Sequence, residues 1–395
     1  MKSFLAQLHA RFFSNSRGVT LRKFPYPYRS AVAISDDAEF MTWEALLAIS
    51  RLLSGPKGIG LPLSHSMFFF TTHALCHSSF SYFEGTSEKH NPYAPQIREM
   101  VAAGYIDTIH AHGDFDAGGF ERKHAEQIFN ECERHNMRFD VFTNHGSQYN
   151  TQNIGYVGQS VDYWQGDNPA HASYHLDLTR RLGVRFVWPD GVHDLVHPYD
   201  NTPLLYQKPT RDGGALTFFK RYRGLAGKAA PNISSLAEQM TRSDLDRLVA
   251  EELPCFYYQH FGVWTKYADG SFEANRPPYF TPEGIKILEY LAELYHNGTC
   301  WIVSASHLLR YLNARDSVHY TVEQDRIVLM DPDGRLKPSD LSGLTFEQVD
   351  PQITGIFWQD ASGSETALPV IRIPSSGGKK NTIQIPWQAL EPFRW

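Results

Sequence analysis

Two adjacent carboxylates, Asp36 and Asp37, end an apolar run that begins at Ala31, and a third acid, Glu39, follows. Charged groups at the end of a buried strand are costly unless something pairs with them. Successive strand residues point to opposite faces, yet where the backbone turns into a loop two neighbours can still converge on one site. A divalent metal beside a proton-transfer centre accounts for the pair; so does a solvated turn, because Asp is common in turns. Further along come His110, His112 and Asp114, then Asn144 and His145, then Trp188 and Asp190 on either side of Pro189, and finally His260. Imidazoles and carboxylates are the usual ligands of Zn²⁺, and imidazoles also move protons near neutral pH.

Each of these groups stands where an extended segment should stop. Ala31–Ser35 predicts a first strand, and Met41–Leu53 an amphipathic helix closed by Ser54-Gly55-Pro56. Strands follow at Met67–Thr72, Tyr105–Ile109, Arg138–Phe142, Val184–Val187, Cys255–Tyr258 and Thr299–Val303. Helices are expected between them at Pro95–Ala103, Phe120–Asn136, Ala170–Leu182, Ser234–Glu252 and Ile285–His296, with Thr281 capping the last, and a closing helix at Ser306–Asn313. The irregular stretch Gly191–Pro231 reads as a loop with a hairpin, with His193, His197 and a solvated basic run from Lys220 to Arg223. Alternation of strand and helix at ~35-residue intervals argues a parallel α/β fold. Polar groups at nearly every strand exit favour a barrel, whose active sites lie at that face. No phosphate-binding glycine loop follows the first strand.

The 395 residues, 42% hydrophobic and 20% charged, describe an ordinary folded chain. A net charge of −6 gives no footprint for nucleic acid or an anionic membrane. The four scattered cysteines form no C-x-x-C and fit reduced thiols. Residues 1–23 read as a helical extension, a poor secretory signal. No run approaches the ~20 apolar residues of a spanning helix, so a cytoplasmic location is the default expectation. Beyond Arg315 the pattern changes to short strands and turn signals, predicting a small all-β accessory domain over 317–395 that packs beside a 24–316 barrel. The oligomeric state is not legible.

The order of strand-end motifs resembles the polysaccharide deacetylase family of carbohydrate esterases. Ser35-Asp36-Asp37-Ala38 is similar to that family's T-F-D-D-G, Gly104–Asp114 to its H-x-x-x-H segment, and Tyr258-Gln259-His260 to its L-x-H. Phe24 to Asn313 is the stretch covered. The resemblance implies a distorted (β/α) barrel and a metal-dependent deacetylase hydrolysing an N- or O-acetyl group on a carbohydrate. It places a divalent metal, Zn²⁺ first and Mn²⁺, Co²⁺ or Fe²⁺ as alternatives, on Asp37, His110 and Asp114, with His112 or His145 as substitutes for Asp114. It assigns Asp36 as general base and His260 as general acid, and gives Asn144, His145, Trp188 and Asp190 to substrate. Two departures stand out: Asp114 replaces the second histidine, and Thr143-Asn144-His145-Gly146-Ser147 replaces the family's arginine motif, R-x-P-Y. Other metal-dependent amide or phosphate-ester hydrolysis, or non-catalytic glycan binding, remain alternatives.

Overall fold

The computed structural model describes residues 18–72, 79–146, 150–155, 163–189, 199, 203–224, 229–267, 271–374, 381–387, 390–391 and 393. Asp190, His193, His197 and the expected extension up to residue 17 lie outside the described residues. The chain divides into two compact units, one of Ala31–Asn297, Ile302–Ser306 and Leu390–Trp395, the other of Met1–Ser30, Gly298–Trp301 and His307–Ala389.

In chain order the strands are β1 (Thr20–Leu21), β2 (Ser30–Asp36), β3 (His65–Met67), β4 (Ile106–His110), β5 (Val141–Thr143), β6 (Phe186–Trp188), β7 (Leu205–Pro209), β8 (Ala215–Phe219), β9 (Pro254–Gln259), β10 (Val263–Lys266), β11 (Phe272–Ala274) and β12 (Cys300–Ile302). Every residue of β2 is buried, as expected for a strand covered on both faces. Parallel pairing runs from β9 to β2, β3, β4, β5, β6 and β8. Just past β8, Tyr222 forms a parallel bridge to Tyr257 of β9, donating its N–H to the Phe256 carbonyl at 2.8 Å. The pairings thus return to the strand from which they started, and the sheet curls into a ring closed by a single bridge. β7 adds an antiparallel outer strand to β8, the hairpin expected within Gly191–Pro231.

Helices cover this sheet. Trp43–Ser54 buries Ala45, Leu46, Ile49 and Leu53, and the Thr42 side chain accepts from the Ala45 N–H, so its start follows the usual capping rule. Pro282–His296 is capped by Thr281, whose hydroxyl accepts from the Gly284 N–H at 2.9 Å. Two expected helices are shorter. Only Leu176–Arg181 of the stretch 170–182 is helical, because turns at Asn168, His171 and Tyr174 consume the residues before it. The stretch 234–252 is broken at Met240, and Thr241 caps a fresh helix over Arg242–Glu251. The β10–β11 hairpin was not anticipated, although Asp269-Gly270 between two aromatic-rich segments is a hairpin signal.

The second unit carries short strands, as its composition predicts. β13 (His319–Val322), β14 (Arg326–Met330), β16 (Gly355–Gln359) and β17 (Glu365–Leu368) form one four-stranded sheet; β1, β15 (Thr345–Val349), β19 (Asn381–Gln384) and β18 (Ile371–Pro374) form the other. Ile327, Leu329, Phe346, Ile356 and Ile383 are fully buried in it.

Behind the strand exits, His112 and His175 are buried as a neutral chain. His175 donates from Nε2 to the Gln152 carbonyl at 2.7 Å, so its Nδ1 accepts from the Thr179 hydroxyl at 2.8 Å and faces His112 Nε2 at 3.1 Å. Burial pushes the His175 pKa down to about 4. Its folded-state pKa lies below the unfolded value of ~6.5, so this contribution to stability is present above pH ~6.5 and lost as pH falls toward about 4. The gap corresponds to roughly 3 kcal/mol. Thermal unfolding followed across that interval should show a falling midpoint, and His175→Gln should flatten the fall.

Candidate metal centre and active site

The register places the site residues side by side. His110 ends β4 opposite Thr143 of β5, which lies opposite Trp188 of β6. This brings the Thr143 hydroxyl to 2.6 Å from His110 Nδ1 and leaves Nε2 directed at Glu39, 3.3 Å from Oε2. His145, two residues past β5, places its own Nε2 against the same oxygen. Its Nδ1 lies 3.1 Å from Asp116 Oδ1. Asn150 holds this arrangement, donating to Asp116 at 2.9 Å and to the His145 carbonyl at 3.1 Å. Gly146 has φ +71°, and a Cβ there would collide with the Asp116 carboxylate; glycine is what lets that carboxylate brace the imidazole.

Glu39, His110 and His145 offer one carboxylate oxygen and two imidazole nitrogens, all within 4.8 Å of one another and buried. This donor set suits a divalent cation such as Zn²⁺, Mn²⁺, Co²⁺ or Fe²⁺. The outer nitrogen of His110 bonds the Thr143 hydroxyl, and that of His145 is ion-paired with Asp116, the kind of support usual for imidazoles that ligate through the other nitrogen. Burial alone would raise the Glu39 pKa, but the charges of His145 and His260 outweigh it and hold the carboxylate well below its ordinary value. Burial would likewise lower His145, yet Glu39 and Asp116 hold it well above its ordinary range.

His260, just after β9, completes the cluster. Its Nε2 is 2.7 Å from Glu39 Oε1 and 3.1 Å from the Tyr258 hydroxyl, while Nδ1 donates to the Pro231 carbonyl at 2.7 Å. Burial opposes its protonation, and Glu39 with Asp37 more than offsets that, so its pKa is raised. The group opens into a cavity of about 270 Å³ whose wall includes Asp37, Glu39, Phe40, His110, Asp116, His145, Trp188, Tyr258 and Lys266. Phe40 takes a left-handed backbone (φ 63°). Ser79 and Asn275 hold it there, Ser79 Oγ accepting from its N–H and Asn275 donating to its carbonyl, both at 2.7 Å.

The expected ligand set is not the one brought together. Asp37 is gripped by Arg221, which donates to its two oxygens at 2.7 and 2.9 Å. Asp37 approaches His110 at Nδ1, 3.7 Å away, on the side opposite Glu39. Burial would raise the Asp37 pKa, and Arg221 overrides it to hold the group ionised. Asp114 turns away, its Oδ1 accepting from the N–H and hydroxyl of Thr72. His112 is committed to His175. Asp36, expected as the base, accepts from His65 Nδ1 at 2.6 Å and from the Phe261 N–H at 2.7 Å. With Ser50 on His65 Nε2 at 2.8 Å it forms a fully buried relay that fixes the turn carrying His260. Asn144 lines the cavity while its amide bonds the Ile154 backbone, at 2.8 and 2.9 Å. His145, Trp188 and His260 do face the site.

Sequence reasoning missed Glu39 and Arg221. Glu39 was visible as an acid beside the aspartate pair, but a two-residue offset from Asp37 meets the same centre only once the backbone turns at Phe40. Arg221, expected on a solvated face, is fully buried. Its guanidinium lies 3.4 Å from the centre of the Trp188 ring and 4.0 Å from that of Tyr258. The available signal was position: Arg221 sits just past the alternating segment Ala215–Phe219, at a strand exit like the other site residues.

No family model matches the chain, and no curated protein does. Among solved structures, an endo-beta1,6-glucanase aligns over 94% of this chain and 93% of its own at 10% identity, with a TM-score of 0.28. A likeness of that degree carries no argument about fold or activity. No helix among the described residues is long and apolar enough to cross a membrane.

Removing one member of a buried ion pair strands the other charge, at a cost of about 3–5 kcal/mol. Arg221→Met should therefore destabilise the chain by about that much in urea unfolding. Arg221→Met combined with Asp37→Leu should recover much of the loss. An additive double variant would show the pair to be unimportant.

Proposed function

We propose that the chain is a metal-dependent hydrolase that removes an acetyl group from a carbohydrate, on a distorted barrel of the polysaccharide deacetylase kind. One observation carries this reading: a buried Glu39–His110–His145 donor set opens into a cavity beside a fourth, proton-bearing group, His260. A divalent metal held by those three residues would polarise an acyl carbonyl and acidify a water toward pH ~7.

The chain's own residues do the remaining work. His260 holds a proton on Nε2, with its ring fixed by the Pro231 carbonyl, and delivers it to the departing amine or alcohol. Asp37, kept ionised by Arg221, is the carboxylate on the cavity wall assigned to orient the attacking water. Asp36 keeps a positioning role through Phe261. Trp188, Tyr258 and Phe40 supply flat apolar walls suited to the faces of a sugar ring. The carbohydrate assignment draws on these walls together with the motif order in the sequence.

Purified protein should release acetate, rather than phosphate from phosphate esters, when given N-acetylated or O-acetylated oligosaccharides. Chelation should abolish the release, and Zn²⁺, Mn²⁺ or Co²⁺ should restore it. His260→Ala should lower kcat by about 10²–10⁴, and Glu39→Gln should be at least as damaging. Asp114→Asn should retain activity once its effect on stability is allowed for. Release of phosphate alone, or chelator-resistant acetate release, would contradict the proposal.

A further inference from the structure

The cavity's charges are unevenly matched. Asp37 is neutralised by Arg221, Glu39 is faced by His110, His145 and His260, and Asp116 is paired with His145. The wall also contains one lysine, Lys266, exposed at the end of β10, for which no acidic partner is found among the described residues.

The hairpin geometry explains why. In the β10–β11 register Lys266 lies opposite Phe272, whereas Thr265 lies opposite Glu273. Directly opposed residues share a face, and successive ones alternate. Lys266 and Phe272 therefore share the face on which Phe272 packs against Phe40, with ring centres 4.4 Å apart and the planes tilted by 50°. Phe40 itself lines the cavity. Glu273, the hairpin's described acid, lies on the other face, accepting from Tyr267 at 2.5 Å and Arg276 at 2.6 Å. Among the described residues of the hairpin, Glu273 is thus directed away from Lys266, and the exposed Lys266 lines the cavity together with Phe40.

We propose that this hairpin face recognises an anionic substituent of the substrate: Lys266 pairs with a carboxylate carried near the acetyl group, while Phe40 and Phe272 contact the ring that bears it. A single ammonium on a flexible stem pairs as a point charge with a singly charged carboxylate. The substrate class is then an acetylated sugar adjoining a uronic acid. The inference rests on the hydrolase reading for its kinetic consequence, but its binding consequence stands apart from it.

The test uses the full chain and two matched disaccharides, N-acetylglucosamine joined to glucuronic acid and N-acetylglucosamine joined to glucose. Titration calorimetry of the wild type should show about five- to ten-fold tighter binding of the acidic disaccharide, a preference that falls with added salt. Lys266→Met should bring the two affinities near parity, and Lys266→Arg should retain most of the preference. Matching circular dichroism spectra will establish that both variants fold. Equal binding by the wild type, a preference that survives Lys266→Met, or no binding of either disaccharide overturns the proposal. An acid preference that depends on Lys266, without acetate release from either compound, sinks the hydrolase reading and leaves this one standing.

Discussion

Three acidic side chains fall within four positions at the end of β2, Asp36 and Asp37 fully buried and Glu39 largely so on the cavity wall. That burial is the constraint from which the rest of the site follows. A buried carboxylate is tolerated only with partners, and each of the three finds them on different elements. Asp36 is held by β3 and the turn after β9, Asp37 by the segment that closes the ring after β8, and Glu39 by histidines at the exits of β4, β5 and β9. The acids thus tie together the strand ends of the curled sheet. The same bonds that satisfy them fix the imidazoles around one point.

The three acids have separable roles because their partners differ. A carboxylate gripped at both oxygens by an arginine that is itself flanked by two aromatic rings is held ionised. One bound to a histidine and a backbone N–H has no oxygen left over and serves only to position. One confronted by three imidazoles combines a negative charge with two ring nitrogens, a donor set that could hold a divalent cation. Sequence neighbours at 36, 37 and 39 therefore belong to a scaffold, an electrostatic clamp and a donor set that could hold a metal ion.

Much of the fold was legible, for identifiable reasons. Ala31–Ser35 is a continuous apolar run, Thr281-Pro282 is an unambiguous helix start, and the alternation of strand and helix requires parallel pairing. The site was legible as a set of strand exits: His110, His145, Trp188 and His260 all reach it. Which acid joins them was not, because that depends on backbone turns at Phe40 and Asp114 rather than on residue type. Phe40 takes a left-handed backbone directly after Glu39, and bonds to Thr72 hold Asp114 away. Arg221 was hidden by composition, since a run of basic residues ordinarily marks solvent. Only closure of the ring at Tyr222 buries it. The break at Met240 and the short helix at 176 reflect local capping that outcompetes helical periodicity.

The central claim is that Glu39, and neither Asp37 nor Asp114, joins His110 and His145 as a metal ligand. Anomalous diffraction from crystals grown with Zn²⁺ tests it most directly. The account predicts a peak bonded to a Glu39 carboxylate oxygen and to Nε2 of His110 and His145, at ~2.0–2.2 Å, with Asp37 still held by Arg221. A peak on Asp37, His110 and Asp114, or crystals of active protein with no peak at Glu39, would contradict it.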